Sequence, residues 1–222
     1  MMGQKLLFAS YLPKDKEARD MLLRHLNAIA NNALAKEPGV LKYIITTSKE
    51  ESTDPAVYVV EEYADEAALQ THNQEDAVKE MINWLRPGVL NSAPTIHRLE
   101  PLKGCNNFTR PEVANHADPF IVFSEVEYKP DTASKTHAYW EDIVNTSKAE
   151  RLGTLVYGVW EDINQPNKLF IFHAYESMDY LMNVHVPSNP VQAMLENERD
   201  IRIGLRPWML QTRGGYLYKD LK

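Results

Sequence analysis

The chain repeats itself. Leu85-Arg86-Pro87, followed by Gly88-Val89-Leu90, returns as Leu205-Arg206-Pro207, followed by Trp208-Met209-Leu210. Upstream, Gly39-Val40-Leu41-Lys42-Tyr43 is answered by Gly153-Thr154-Leu155-Val156-Tyr157, and Val57 to Tyr63 by Leu169 to Tyr175. The order is kept while the offset drifts from about 114 to 112 to 120, as short insertions produce. A long-period repeat constrains a fold more than any single motif. It implies two copies of one small domain, joined as an intramolecular pseudo-dimer about a pseudo-two-fold axis. With 222 residues in all, each copy is thin and needs its sister to cover one face.

Composition excludes several function classes. The formal net charge is −7, spread without long runs, so nucleic acid and anionic membrane surfaces, which call for a basic footprint, are not expected partners. Cys105 is the single cysteine, which removes disulfide scaffolds and cysteine-based zinc sites. Met1 to Phe8 lacks the basic-then-apolar order of a secretion signal, and no apolar run approaches the ~18 residues of a membrane span. The cytoplasm is therefore the expected compartment.

Periodicity gives the order of elements. Lys5 to Leu12 alternates as a strand and Pro13 ends it. Glu17 to Lys36 places Ala18, Met21, Leu22, His25, Leu26, Ile29 and Ala33 on one helix face, and Pro38-Gly39 breaks it. Strands follow at Val40 to Thr47 and Val57 to Tyr63. Asp65 caps a short helix, a second helical piece starts at Gln74, and Thr95 to Leu99 closes the unit. The order β-α-β-β-α-β is ferredoxin-like, an α+β fold with an antiparallel sheet and both helices on one face. The second copy reads as a strand at Phe120 to Glu127, a helix at Thr132 to Ala149, strands at Leu155 to Trp160 and Leu169 to Tyr175, helices at Met178 to His185 and Val191 to Ile203, and closing strands at Met209 to Thr212 and Tyr216 to Tyr218. The domains are thus expected at residues 1–102 and 120–222, with 103–119 as a linker. Strands apolar on both sides must be covered on both sides, so the two sheets are expected to pack face to face. Such a sandwich leaves room for a small apolar ligand.

Two segments carry a family resemblance: Glu37-Pro38-Gly39-Val40-Leu41-Lys42-Tyr43, and Tyr58-Val59-Val60-Glu61-Glu62-Tyr63-Ala64-Asp65-Glu66-Ala67-Ala68-Leu69-Gln70-Thr71-His72. The chain resembles the antibiotic biosynthesis monooxygenase family of dimeric α+β barrels, here as two tandem copies. The second copy carries it through Gly153, Tyr175, His185 and the arginine-proline element. The resemblance implies cofactor-free chemistry on a small hydrophobic aromatic or polyketide-like substrate of secondary metabolism. Members often end the third strand with Trp, where this chain has Tyr63 and Tyr175.

The same resemblance places a histidine at His72, and His185 holds the equivalent place in the second copy. A neutral imidazole can take a proton from a phenol or an acidic carbon; the alternative is a packed helix end. His173 lies in an apolar strand, aligned with Glu61, where a buried ionisable group is costly unless paired and such groups concentrate at functional sites. The alternative there is pairing across the pseudo-axis. Arg86, like Arg206, could bind an enolate or carboxylate oxygen or hold a helix end. Tyr43, Tyr63, Trp84, Tyr157, Tyr175 and Trp208 could wall an aromatic site, or belong to the core. His25 and His137, on helix faces, could line the same pocket. No dinucleotide, phosphate-loop or zinc-protease motif and no serine elbow is present, so no cofactor and no metal are expected.

Four functions follow. The first is a cofactor-independent monooxygenase begun by proton abstraction. The second is a polyketide cyclase or isomerase using the same deprotonation. The third is a haem-binding or haem-degrading protein, which needs an axial histidine on a wide cleft. The fourth is a ligand carrier without catalysis. The kinship to dimeric barrels also leaves a further homodimer open.

Overall fold

The computed structural model describes residues 3–85 and 88–220. They group into two compact units, Met1–Arg98 with Leu210–Lys222, and Leu99–Met209. No helix among the described residues is long and apolar enough to cross a membrane.

The first unit runs β1 (Lys5–Tyr11), α1 (Lys16–Lys36), β2 (Val40–Ser48), β3 (Val57–Tyr63), α2 (Glu66–His72), α3 (Asp76–Trp84) and the start of β4 (Thr95–Pro101). The strands lie in the order β4-β1-β3-β2, the ferredoxin-like arrangement expected from the sequence. α1 starts at Asp15, whose carboxylate accepts the Ala18 N–H at 2.8 Å, a standard way to satisfy an orphan amide. Its stripe of Leu22, Leu26, Ile29 and Ala33 packs on Tyr43, Ile45, Val59 and Tyr63. All seven residues of β3 are buried, as two-sided apolar patterning requires.

The second unit repeats the plan with β6 (Phe120–Tyr128), α4 (His137–Glu150), β7 (Thr154–Glu161), β8 (Lys168–Tyr175), α5 (Met178–Tyr180), α6 (Asn189–Glu198) and the first part of β9 (Arg202–Tyr216), in the order β9-β6-β8-β7. It also holds the two-residue β5 (Phe108–Thr109).

Backbone hydrogen bonds fix the equivalence of the copies. The Glu37 amide bonds to Ala33 O, Val40 N to Glu37 O, and Ala64 N to Gly39 O; likewise Arg151 N bonds to Ser147 O, Thr154 N to Arg151 O, and Glu176 N to Gly153 O. Each copy also has a β-bulge at the start of its second strand, between Val40 and Lys42 and between Thr154 and Val156. The repeated glycines permit a close approach. A Cβ at Gly39 would stand 2.6 Å from Ala68 Cβ, and one at Gly153 would stand 2.4 Å from the Tyr180 ring.

Four details differ from the sequence expectation. Residues 103–119 are more than a linker, since Phe108 and Thr109 pair with Tyr157 and Val156 as an edge strand. The helix after Val191 ends at Glu198 and β9 runs unbroken from Arg202, because Ile201, Ile203 and Leu205 recur every second residue, a strand period. The end of β9 closes the sheet of the first unit: Tyr216 pairs with Tyr43 and Leu210 with Ser48. Local patterning cannot say which edge a strand will join, so the compact units depart from the expected boundaries. Finally, Leu85 caps α3 whereas its sequence counterpart Leu205 lies within β9. Arg86 and Pro87 lie outside the described residues.

Candidate active site

The second unit holds an apolar cavity of about 150 Å³ between its sheet and α4, α6 and the turn after α5. The sheet contributes Ser124, Val126, Tyr157, Ile171 and His173; the helical side contributes Trp140, Val191, Met194 and His185. β7 and β8 set Tyr157 directly opposite His173, and alternation along β8 puts Ile171 and His173 on one face. Tyr175 OH meets His173 Nδ1 at 2.8 Å, and Ser124 Oγ lies 3.5 Å from His173 Nε2. The His185 ring lies against Tyr157 and Tyr175, with centroids 5.3 and 5.1 Å away.

A one-residue insertion carries His185 there. Seven positions separate the N-cap Asp65 from His72, and eight separate the N-cap Ser177 from His185. The extra residue is absorbed as a π-helical turn, Leu181–His185, a local device often found at functional sites. His72 and His185 therefore still end up against equivalent tyrosine pairs.

Electrostatics separates the two histidine sites. Burial, helped by His185, pushes His173 down to about 3, and burial with the nearby Arg151 charge pushes His185 down to about 4. Both rings are neutral at pH 7. Burial also raises the phenols of Tyr157 and Tyr175, so both stay protonated. His185 Nδ1 is buried and has no hydrogen-bond partner among the described residues. At one end of the cavity Glu198 accepts from Tyr128 OH at 3.0 Å and from Arg202 Nη1 at 2.5 Å.

In the first unit the equivalent residues form a closed polar cluster. His72 Nδ1 meets Glu37 Oε2 at 2.9 Å, and Asn32 donates to Glu37 at 3.2 Å and to Glu75 at 2.8 Å. Tyr63 donates its hydroxyl proton to Glu61. Burial opposes charge on His72, but the Glu37 hydrogen bond and the charges of Glu61, Glu37 and Glu75 outweigh it and raise its pKa. Burial raises the Glu61 carboxyl. A histidine held toward its protonated form is a poor proton acceptor, so this cluster suits structure better than base chemistry.

Of the residues singled out from the sequence, His173, His185 and Tyr157 line the cavity, with Tyr175 buried behind them. Tyr43, Tyr63 and His72 gather in the first unit. Trp84 packs on His25 on the edge of that unit's core, centroids 5.1 Å apart. Three second-unit residues also miss the apolar cavity. Trp208 packs at a tilt against Phe123, whose side chain leaves β6 on the face opposite Ser124, so Trp208 is not a cavity wall. His137, the first residue of α4, lines a separate polar cleft with Glu100, Asp131 and Glu161; it is not the counterpart of His25, which is mid-helix. Arg206 is an exposed strand residue lying over the Trp208 ring at 4.6 Å. Sequence reading missed Glu37 and Arg151, although aligning Glu37-Pro38-Gly39 with Arg151-Leu152-Gly153 exposes a charge reversal. Among the described residues, no group of three or more His, Cys, Asp or Glu is placed to hold a metal.

The family model of the antibiotic biosynthesis monooxygenases matches residues 11–84. No curated protein matches the chain in sequence. A crystal structure of a "putative monooxygenase" from Lactobacillus acidophilus superposes with a TM-score of 0.77 at 15% identity, covering 98% of this chain and 100% of its own. A second "putative monooxygenase", from Fusobacterium nucleatum, gives 0.78 at 20% identity over 99% of both chains. An "anthrone oxidase-like protein" gives 0.64 at 10% identity, over 94% of this chain and 91% of that one. At these identities the three structures speak for the fold alone. Residues 11–84, in the first of the two βαββαβ units, are therefore similar to the antibiotic biosynthesis monooxygenase family.

Proposed function

We propose that the chain is a cofactor-independent monooxygenase of small phenols, and that the second unit carries the reaction. The observation that supports this most is the pair of neutral imidazoles, His185 buried and His173 half-buried, on the wall of an apolar cavity. The first unit holds its equivalent histidine in an ion pair instead. A cavity near 150 Å³ matches one aromatic ring, since an apolar void of about that size takes up benzene.

The chemistry begins with the substrate hydroxyl giving its proton to His185. An imidazole depressed to about 4 in the free protein gains basicity when an anion forms beside it, and the nascent phenolate is that anion. His173, steadied by Tyr175, hydrogen-bonds the phenolate oxygen. The phenolate passes one electron to dioxygen, and superoxide joins the ring carbon para to the oxygen. The outer peroxide oxygen takes the proton back from imidazolium. Loss of that oxygen as water, with the proton from the attacked ring carbon, leaves a quinone. The balance is phenol plus dioxygen to quinone plus water. Apolar walls keep bulk water from the intermediates.

Oxygen uptake with a panel of phenols and naphthols, run with ¹⁸O₂, tests this. One labelled atom in the quinone and one in water are expected, with uptake lost in His185→Gln. Product without oxygen uptake would instead indicate a cyclase or isomerase, and binding without turnover a carrier.

A further inference from the structure

The copies differ most in charge where α1 and α4 end. Matching hydrogen bonds make Glu37 equivalent to Arg151, Ala33 to Ser147 and Val40 to Thr154. In the first unit the Glu37 carboxylate satisfies His72 Nδ1. In the second unit a cation replaces that carboxylate and two apolar neighbours become hydroxyl-bearing. Among the described residues, Arg151 Nη1, Ser147 Oγ and Thr154 Oγ1 beside the end of α4 are buried without hydrogen-bond partners, and so is Nδ1 of His185, the counterpart of His72. Ser147 and Thr154 are fully buried and His185 is 4% exposed. Such atoms are few in native proteins, and each costs free energy when unsatisfied. Three beside one helix end, with the histidine nitrogen whose counterpart bonds to Glu37, point to a missing acceptor.

Arg151 has no other duty among the described residues. The usual role of an arginine at this place is to cap the last carbonyls of its helix, but Arg110 does so. Its guanidinium bonds to Ser147 O at 3.2 Å, Lys148 O at 2.7 Å and Thr154 O at 3.0 Å. The Arg151 charge instead reaches His185, Tyr157 and Tyr175, disfavouring the imidazolium and favouring the phenolates.

We propose that the second unit contains a buried oxyanion site, in which Arg151 Nη1 and His185 Nδ1, with the hydroxyls of Ser147 and Thr154, hold a carboxylate where the first unit has that of Glu37. A single negative charge matches the one permanent cation; a dianion would leave excess charge buried. The site is separate from the apolar cavity except through His185, so its existence does not depend on the oxygenase reading. Its effect on that reading is direct. An anion on Nδ1–H fixes the tautomer and leaves the Nε2 lone pair available, while the Arg151 charge, absent beside His72, offsets the anion and keeps the ring neutral.

The test uses the whole chain with ¹⁵N-labelled histidine and no substrate or oxygen assay, so failed turnover cannot be confused with failed binding. Sodium acetate is titrated against sodium chloride at equal ionic strength and pH 7. Acetate, and not chloride, should move His185 to the Nδ1–H tautomer with a saturable response. Arg151→Met, checked for a dispersed spectrum, should lose that response. Arg151→Glu should restore the first-unit arrangement and bring the His185 midpoint up from about 4 to above about 6.5 without acetate. Benzoate distinguishes the source. If the carboxylate belongs to an aromatic compound, benzoate moves the Val191 and Met194 methyl signals as well as His185; if it is a free small acid, acetate and benzoate act alike on His185 alone. Equal effects of acetate and chloride, a full response in Arg151→Met, or an unmoved midpoint in Arg151→Glu would each overturn the site.

Discussion

Lowering the pH from 7 to 5 should destabilise the second unit through two imidazoles, by an amount that follows from their burial. His173 titrates near 3 and His185 near 4 in the folded chain, against 6.5 for the free side chain. A depressed histidine favours the folded state fully above 6.5, and that contribution is lost as the pH falls toward the folded value. At pH 5 each ring is about 1.5 units below its unfolded pKa, so each forfeits about 2 kcal/mol, and the pair about 4 kcal/mol. Glu198 acts in the opposite sense, since burial raises its carboxyl and falling pH relieves the cost of its charge. The wild-type slope is therefore a mixture, and the decisive quantity is a difference. Urea unfolding at pH 7.5, 6.5, 5.5 and 5 should give a steeper acid loss for wild type than for His173→Gln/His185→Gln, by about 4 kcal/mol across the range. Parallel curves would refute the neutral state of these rings. His72 runs the other way. Its pKa is raised, so its pairing contributes most below 6.5 and is lost as the pH climbs through its folded value.

Three further outcomes are expected. Glu37→Gln should cost the first unit about 2 kcal/mol and lower the His72 midpoint, read by ¹H–¹⁵N spectra; an unchanged midpoint would mean that Glu37 does not set it. Gly153→Ala forces a methyl to 2.4 Å from the Tyr180 ring and should cost about 1–3 kcal/mol, visible as a lower Tm, whereas an unchanged Tm would show that the approach is not tight. Val191→Phe should fill the cavity and abolish uptake of small aromatics, while Trp208→Ala, on the other face of β6, should leave the Kd within about twofold; the reverse pattern would put the site on the wrong face.

The fold was legible because burial enforces local periodicity. β3 was bounded from Val57 to Tyr63 and α2 from its Asp65 cap, as the structure has them. What escaped was non-local. Nothing within Phe108–Thr109 or Leu210–Tyr216 states which sheet edge will accept it, since any extended segment carries the same donors and acceptors. The leucine that opens the arginine-proline repeat misled because Leu85 sits at a helix end and Leu205 in a strand. The site was half legible: His173 stood out as an ionisable residue in an apolar strand, but the division of labour between His72 and His185 depends on Glu37 and Arg151, which flank a glycine far from either histidine in sequence. Pairing the copies residue by residue would have revealed it.

The strand that completes the first sheet has a temporal consequence. Residues 210–216 leave the ribosome after every residue of the second unit, yet β2 needs them to cover its open edge. The N-terminal unit must therefore wait, with unpaired backbone groups, until synthesis has passed Tyr216. Expression of residues 1–102 alone should yield an aggregation-prone fragment, and a circular permutant that places 210–220 ahead of Lys5 should mature sooner than the natural order.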